Sequence, residues 1–484
     1  MRIDRRALLR NAAAAALTGG SGHPARADDQ AAEKADYTLR IATGLVELAP
    51  DHIVSTVLYN GQFPGPLLRF KEGRRVVIDI HNDTDTPELV HWHGQMIPSD
   101  VDGAAEEGSP TVPAHGARRL AFTPKPPGFR FYHTHVVAGS DLNRGTYTGQ
   151  AGPVYIEPNS NAGAYDREVF LVLKEFSPTF SQGGDMATEA LVGSPVKALQ
   201  DMGKAADAAA KDKTKGFEVG YDLFSINGRM LGHGEPIRVK QGERVLFHVL
   251  NASAGEIRSL ALPGHSFKIV ALDGNPVPTQ AEVPLLWLGT AERVSAIVEM
   301  KHPGVWIMGD LADDDRRRGM GIVVEYAEHK GKPLWIQPKP YRWDYSLFGV
   351  PGGAAAATPD ETIEFTFLKH NAALEGFNQW TLNGEAFSME TMKPAVSIHQ
   401  GRRYRLKFRN ASDDIHPLHL HRHSFELTRI GGKSTSGVIK DVVMLGGYQE
   451  AEVDFVADNP GPTLFHCHQQ LHMDFGFMAL FNYA

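Results

Sequence analysis

Apolar and polar residues alternate over short stretches of the chain, as at Val245, Phe247 and Val249 and again at Tyr404, Leu406 and Phe408. That is the period of a strand with one face buried. Each stretch is bracketed alike. An Asn-Gly pair, the signature of a tight turn, stands ahead of it at Asn60-Gly61, Asn227-Gly228 and Asn383-Gly384. A glycine then opens it, in Gly73-Arg74-Arg75-Val76, Gly242-Glu243-Arg244-Val245 and Gly401-Arg402-Arg403-Tyr404, and an asparagine follows nine residues later at Asn82, Asn251 and Asn410. The opening glycines lie 169 and 159 residues apart, a domain-sized spacing. Helical periodicity is scarce; the Ala/Lys-rich stretch from Val196 to Lys215 is the main exception and predicts an inserted helix. The pattern predicts an all-β chain of three β-sandwich units.

The ends of the units repeat as well. Gly128, Gly304 and Gly461 are each followed five residues later by a tripeptide: His133-Thr134-His135, Gly309-Asp310-Leu311 and His466-Cys467-His468. Setting Ser266-Phe267 on Ser424-Phe425 places Arg258, Ala261 and Pro263 against His416, His419 and His421. Histidines kept for packing would not be missing from one unit of three. The outer units are expected to carry metal and the middle one to space them.

Bulk composition narrows the setting. The net charge of -8 comes with no Lys/Arg cluster interleaved with aromatics, which argues against nucleic-acid binding. Residues 1–27 read as an address: paired arginines in Asp4-Arg5-Arg6-Ala7, an alanine-rich stretch, and a small-residue cleavage site at Ala25-Arg26-Ala27. They resemble a twin-arginine export signal, which implies the twin-arginine export machinery as a partner and a periplasmic or secreted bacterial location; a disordered alanine-rich tail is the alternative. No other apolar run approaches the ~20 residues of a membrane span. One cysteine cannot form an intramolecular disulfide, so Cys467 is not a staple.

Four His-x-His pairs occur among the 22 histidines: His91 with His93, His133 with His135, His419 with His421, and His466 with His468. Residues two apart on a strand face one side, so each pair could grip metal from one direction, and pairs from the first and third units could close a cage between them. In His466-Cys467-His468 the thiolate would take the opposite face from its neighbours and so link two metal centres. His416 and His472 stand beside the pairs, and two imidazoles with one thiolate match a trigonal blue-copper set. Zinc would accept the same ligands, but it cannot take up electrons and does not account for ten histidines.

The motifs His91-Trp92-His93-Gly94, His133-Thr134-His135, His416-Pro417-Leu418-His419-Leu420-His421 and His466-Cys467-His468 through His472 together resemble those of the multicopper oxidases, the family of laccases, bilirubin oxidases and copper efflux oxidases. The resemblance implies three tandem cupredoxin-like Greek-key β-sandwich domains, at 36–160, 165–330 and 361–484 with a linker at 331–360. It implies four copper ions. His416, Cys467 and His472 would hold a type 1 copper, His91 and His419 a type 2, and His93, His133, His135, His421, His466 and His468 a type 3 pair. Its implied chemistry is the oxidation of phenols or aromatic amines coupled to reduction of dioxygen to water, with oxidation of copper(I) or iron(II) in copper tolerance as the alternative. Asp102 matches the acidic residue that serves the trinuclear centre in the family, although Asp-Gly also favours a plain turn. Some relatives carry a glutamate where this chain has Met473, leaving Asp474 as a candidate substitute. Ten residues after Cys467, Phe477 stands where other relatives have an axial methionine. Met478 would face away unless a bulge turned it inward, so no axial sulfur is expected and the copper potential should be raised. Arg422 replaces a glycine usual after the third motif, with an expected effect on access to the type 2 side. His115, His248, His265 and His423 fit no ligand position and are expected in the core or on the surface.

Overall fold

The chain is built from β-sheets that repeat in topology. In a computed structural model the described residues are 33–158, 165–181, 190–209, 215–352 and 357–484, so the expected export signal lies outside the described residues. Three sheets begin with the same four strands in the same order. The first runs His52–Tyr59, Tyr37–Ala49, Val76–Asn82, Gly116–Phe122; the second Glu218–Ile226, Arg167–Ser181, Arg244–Asn251, Arg293–Glu299; the third Phe377–Leu382, Glu361–Leu374, Arg403–Asn410, Glu450–Val456. Even the register is shared, since Ile41 lies opposite Asn82, Leu173 opposite Asn251 and Phe367 opposite Asn410 in the parallel pairs.

The repeated residues explain the repeated geometry. Both residues of each Asn-Gly pair have positive φ, between 52° and 86°, the conformation a two-residue hairpin turn requires. The turn asparagines clamp the neighbouring strand: Asn60 Nδ2 donates to Thr38 O while its Oδ1 accepts from Arg40 N. Asn227 does the same with Phe170 and Val172, and Asn383 with Glu364 and Thr366. The strand-end asparagines are each 0% exposed and act as brackets across two loops. Asn251 Nδ2 donates to Glu256 O and Leu288 O and its Oδ1 accepts from Ser253 N. Asn410 matches this with Asp414 O, Gly446 O and Ser412 N, and Asn82 with Thr86 O, Val112 O and Thr84 N.

Each unit has a second sheet, and the tripeptides start at the ends of its strands Gly128–Thr134, Val305–Gly309 and Thr463–Cys467; the first and third of these are interior strands and the second is an edge strand. The inserted helix covers Lys197–Ala209 and buries Leu199 and Gly203; residues 210–214 of the predicted stretch lie outside the described residues. One apolar cluster runs from Phe247 and Phe267 in the middle sheets to Phe408, Phe465 and Phe477 in the third, so these two share a core. Residues Ala35–Ala484 form one compact body. Among the described residues no helix is long and apolar enough to cross a membrane.

Asn251→Ala removes a buried side chain that satisfies two carbonyls and an amide. It should lower unfolding free energy by about 1–3 kcal/mol, read from the shift in a denaturant midpoint.

Candidate metal centre

Every histidine singled out from the motifs, together with Cys467, falls into one of four buried groups in which the ligand atoms lie within 4.8 Å of one another. These are His91, His93 and His419; His93, His133 and His468; His135, His421 and His466; and His416, Cys467 and His472. A further group joins His91 and His421 to Asp102. Of the four His-x-His pairs, only His91 and His93 share one of these groups. His133 and His135, His419 and His421, and His466 and His468 are each divided between two groups. His133, His419 and His466 lie within strands and their partners just beyond the strand ends, but His93 also lies beyond the end of its strand, Val90–His91, so strand ends alone do not decide the division.

Outer contacts set which nitrogen of each ring is available. His91 Nδ1 donates to Asp102 O at 3.0 Å and His419 Nδ1 to Asp441 O at 2.7 Å, leaving both Nε2 atoms buried without a partner. His133 and His466 donate from Nδ1 to the carbonyls of Thr134 and Cys467. His421 Nδ1 donates to Asp102 Oδ2 at 2.9 Å. His93 is reversed: its Nε2 donates to Asp441 Oδ1 at 3.1 Å and its Nδ1 is the unpartnered atom. Consequently His421 Nε2 faces His466 Nε2 at 3.0 Å with a lone pair on each. Two lone pairs cannot share that space without a cation between them. The residues therefore fit a metal, and the outer contacts are those that orient metal-bound imidazoles.

Around the thiol, Cys467 Sγ lies 3.6 Å from His416 Nδ1 and 3.7 Å from His472 Nδ1, with 3.2 Å between the two nitrogens. This compact triangle of two nitrogens and one sulfur suits a soft, redox-active metal better than a closed tetrahedral site. Burial pushes the thiol pKa well up, so the sulfur holds its proton until a cation displaces it. Ser412 fixes His416 through Nε2 at 2.9 Å, and Trp380 stacks on His472 at 3.9 Å. Phe477 is fully buried with its ring 4.7 Å from that of His416. Met478 pairs across the sheet with His466, on the face away from Cys467, and packs on Leu464 and Met473.

Asp102 ends a short helix, Ser99–Asp102, at Gly103, where a side chain would clash with Val90 O. Its carboxylate is nevertheless 0% exposed and turned toward His91 and His421, not toward a solvated turn. Sequence reasoning missed its neighbours. Glu107, buried beside it, has a pKa raised well above the usual range by burial and by the Asp102 charge, and Glu106 lies 3.9 Å from His135. Asp474 is bound by Ala138 N, Gly139 N and Gln470, and burial lifts its pKa to about 7. Arg422 spans Ile97 O and the carbonyls of Asn459 to Pro462, tying the loop before His466 to the first sheets. His265 and His423 each bond a tyrosine hydroxyl, Tyr326 and Tyr483; His248 bonds Ser295 and exposed His115 bonds Asp85.

The middle unit is not blank. At the positions matching His416, Cys467 and His472 stand Arg258, Asp310 and Asp315, the last again five residues after the second. Arg258 Nη1 donates to Asp315 Oδ2 at 2.5 Å, and burial raises the pKa of Asp310 despite the opposing charge of Arg258. Phe224, three residues before its Asn-Gly turn as Trp380 is before its own, covers the guanidinium at 4.4 Å. A buried arginine paired with a part-exposed aspartate, beside a second, buried aspartate, occupies the place of the thiolate site.

His93, His133, His135, His416, His419, His421, His466 and His468 are held well below the ordinary imidazole pKa, by burial first and mostly by one another's charge next. The unfolded chain accepts protons near pH ~6.5 that the folded one refuses. Stability of copper-free protein should thus be full above that pH and fall as pH drops below it, by up to about 1.4 kcal/mol per pH unit for each imidazole. Denaturant midpoints between pH 8 and pH 5 measure this; a flat profile would contradict it.

Family models described as multicopper oxidase match residues 42–161, 197–322 and 357–484. The chain is 28% identical to multicopper oxidase MmcO of Mycobacterium tuberculosis over 439 residues, covering 89% of this chain and 84% of that one. It is 24% identical to multicopper oxidase mco of Staphylococcus epidermidis, covering 92% and 87%. A solved multi-copper oxidase from Pseudomonas thermotolerans superposes with a TM-score of 0.68 at 23% identity, covering 93% of this chain and all of that one, which shows the cupredoxin-like fold. With three family matches laid over three repeated sheet pairs, the chain belongs to the multicopper oxidase family, oxidoreductases that use dioxygen.

Proposed function

We propose that the chain is a laccase-like copper oxidase that takes single electrons from phenolic or aromatic amine donors and delivers them to dioxygen, releasing water. The observation that carries this reading is the continuity of His466-Cys467-His468, which puts a thiolate in one ligand group and its two neighbours in the histidine cage. His416, Cys467 and His472 would hold a type 1 copper, and His91 and His419 a type 2. His93, His133 and His468 would hold one type 3 ion and His135, His421 and His466 the other. Four coppers supply one-electron redox steps that match the four electrons needed to turn one dioxygen into two waters. The peptide links from Cys467 to His466 and His468 give electrons a covalent path. Asp102 Oδ2 fixes His421 through Nδ1, and the carboxyl of the adjoining Glu107 is pushed by burial and by the Asp102 charge toward its protonated form, so the two acids beside the cage are suited to pass protons to it. With Phe477 rather than a sulfur against His416, the type 1 potential is raised. We also read residues 36–160, 165–330 and 361–484 as three domains, and 1–27 as an export signal directing the protein to the periplasm or beyond the cell.

Donors would enter beside His472, in a cleft lined by Tyr147, Tyr221, Glu218 and Glu256. The tyrosines suit an aromatic donor. The carboxylates favour a second reading, oxidation of copper(I) or iron(II), because Glu218 Oε2 lies 3.7 Å from His472 Nε2.

Oxygen uptake with a panel of phenols, aromatic amines, copper(I) and iron(II) tests the function. Cys467→Ser should reduce uptake to background with every donor while type 2 and type 3 copper stay bound; intact turnover would exclude the reading. Glu218→Gln should lower kcat/KM for a metal-ion donor about tenfold, the loss of one charge-assisted contact of about 1.5 kcal/mol, and for a neutral phenol by less than about twofold.

A further inference from the structure

The geometry points to Arg293, from the unit without copper ligands, as a positioning residue for the trinuclear cage, acting through Asp441. This inference rests on the copper assignment above. Asp441 is 0% exposed and bonds two cage histidines by different atoms: its Oδ1 accepts from His93 Nε2 at 3.1 Å and its main-chain carbonyl from His419 Nδ1 at 2.7 Å. A carboxylate able to rotate could not set a ring. Arg293 removes that freedom with a two-pronged contact, Nη1 to Oδ1 at 2.7 Å and Nη2 to Oδ2 at 2.6 Å. Arg130, from the first unit, adds Nη1 to Oδ2 at 3.2 Å.

The arginine is itself anchored within the middle sheets. Its main-chain N–H donates to Asp273 Oδ1 at 3.0 Å, and its Nη1 to Ala291 O at 2.9 Å. Asp273 Oδ2 in turn accepts from the amides of Asp441 and Val442 at 3.3 and 3.1 Å and pairs with Lys440 at 2.9 Å, so the 440–442 segment is held from the same side. The first unit closes tightly on this arm. A side chain at Gly94, the glycine of the His91-Trp92-His93-Gly94 motif, would come within 2.5 Å of Asp441 Oδ2 and 2.7 Å of Arg293 Nη2.

The consequence is specific to one ring. His93 presents Nδ1 to the cage because Asp441 claims its Nε2 hydrogen, whereas His91, His133, His419, His421 and His466 all present Nε2. His93 is also the ring that belongs to two of the three groups made of histidines alone. Loosening Asp441 frees this ring to adopt the other tautomer and withdraw its lone pair. The unit lacking copper ligands thus does more than space the outer two: it sets the direction of a shared ligand.

Two variants test this, Arg293→Lys, which keeps the charge but loses the second prong, and Asp441→Asn, which keeps the shape but loses the charge. Each holoenzyme would be dialysed against a graded copper chelator, with copper per chain, the type 2 electron paramagnetic resonance signal, the type 3 absorption shoulder and the blue type 1 band recorded. The expected result is a 10–100-fold weaker hold on type 2 and type 3 copper, the usual scale for an outer-shell partner, with type 1 retention unchanged within about twofold. Wild-type retention of all signals by both variants would overturn the inference, even with a lowered Tm. Loss of type 1 copper in parallel would also overturn it, since that marks a general structural role. Wild-type protein without a type 2 signal would instead overturn the copper assignment beneath it.

Discussion

Neutral imidazoles packed nitrogen to nitrogen in a dry interior repel unless something positive lies between them, and the rest of this molecule is arranged around that condition. His421 and His466 meet at 3.0 Å with their outer nitrogens already committed to Asp102 and a main-chain carbonyl. Turning either ring to relieve the contact would leave a buried donor without an acceptor. The cage is therefore locked from outside and unsatisfied inside, which is what a tight metal site needs before the metal arrives. It can be built only where the first and third sheets meet, because neither supplies more than half of the rings.

The repeated bracket asparagines make such a meeting reproducible. By bonding two later loops and one amide from a single 0% exposed side chain, Asn82, Asn251 and Asn410 hold the loop after the strand at the same height in each unit. In the third unit that loop carries Ser412 and leads into His416; in the middle unit it carries Ser253 and leads into Arg258. One scaffold thus presents either a ligand or a cation at an equivalent point. What differs is the charge each point must balance.

Much of this is visible in the residues before any coordinates. The Asn-Gly turns, the opening glycines and the bracket asparagines mark the sheets because each acts through backbone conformation or local hydrogen bonds, which depend on nearby sequence. The eleven histidine and cysteine positions that gather into buried groups are visible because these residues in register have few other uses. What stays hidden acts across the units. Asp441, Arg293, Glu107 and Glu218 lie in no motif, and their roles come from burial against residues more than a hundred positions away. The division of His419 from His421 is legible in the family motifs, whereas that of His133 from His135 and of His466 from His468 depends on how the two units meet. The triad of Arg258, Asp310 and Asp315 is within reach of the sequence: the alignment that sets Arg258 against His416 already shows a cation facing two anions, and an absence of histidine is not an absence of a site.

That triad has a bearing on what the middle unit needs from solution. A unit that carries its own counter-charges is complete once its chain is, because Arg258 finds Asp315 and the face of Phe224 without waiting for anything from solution. The arm formed by Asp273 and Arg293 stands in that finished block. The wall against which the histidine cage rests is thus held by charges that the chain itself supplies, and no ion from solution is needed on that side.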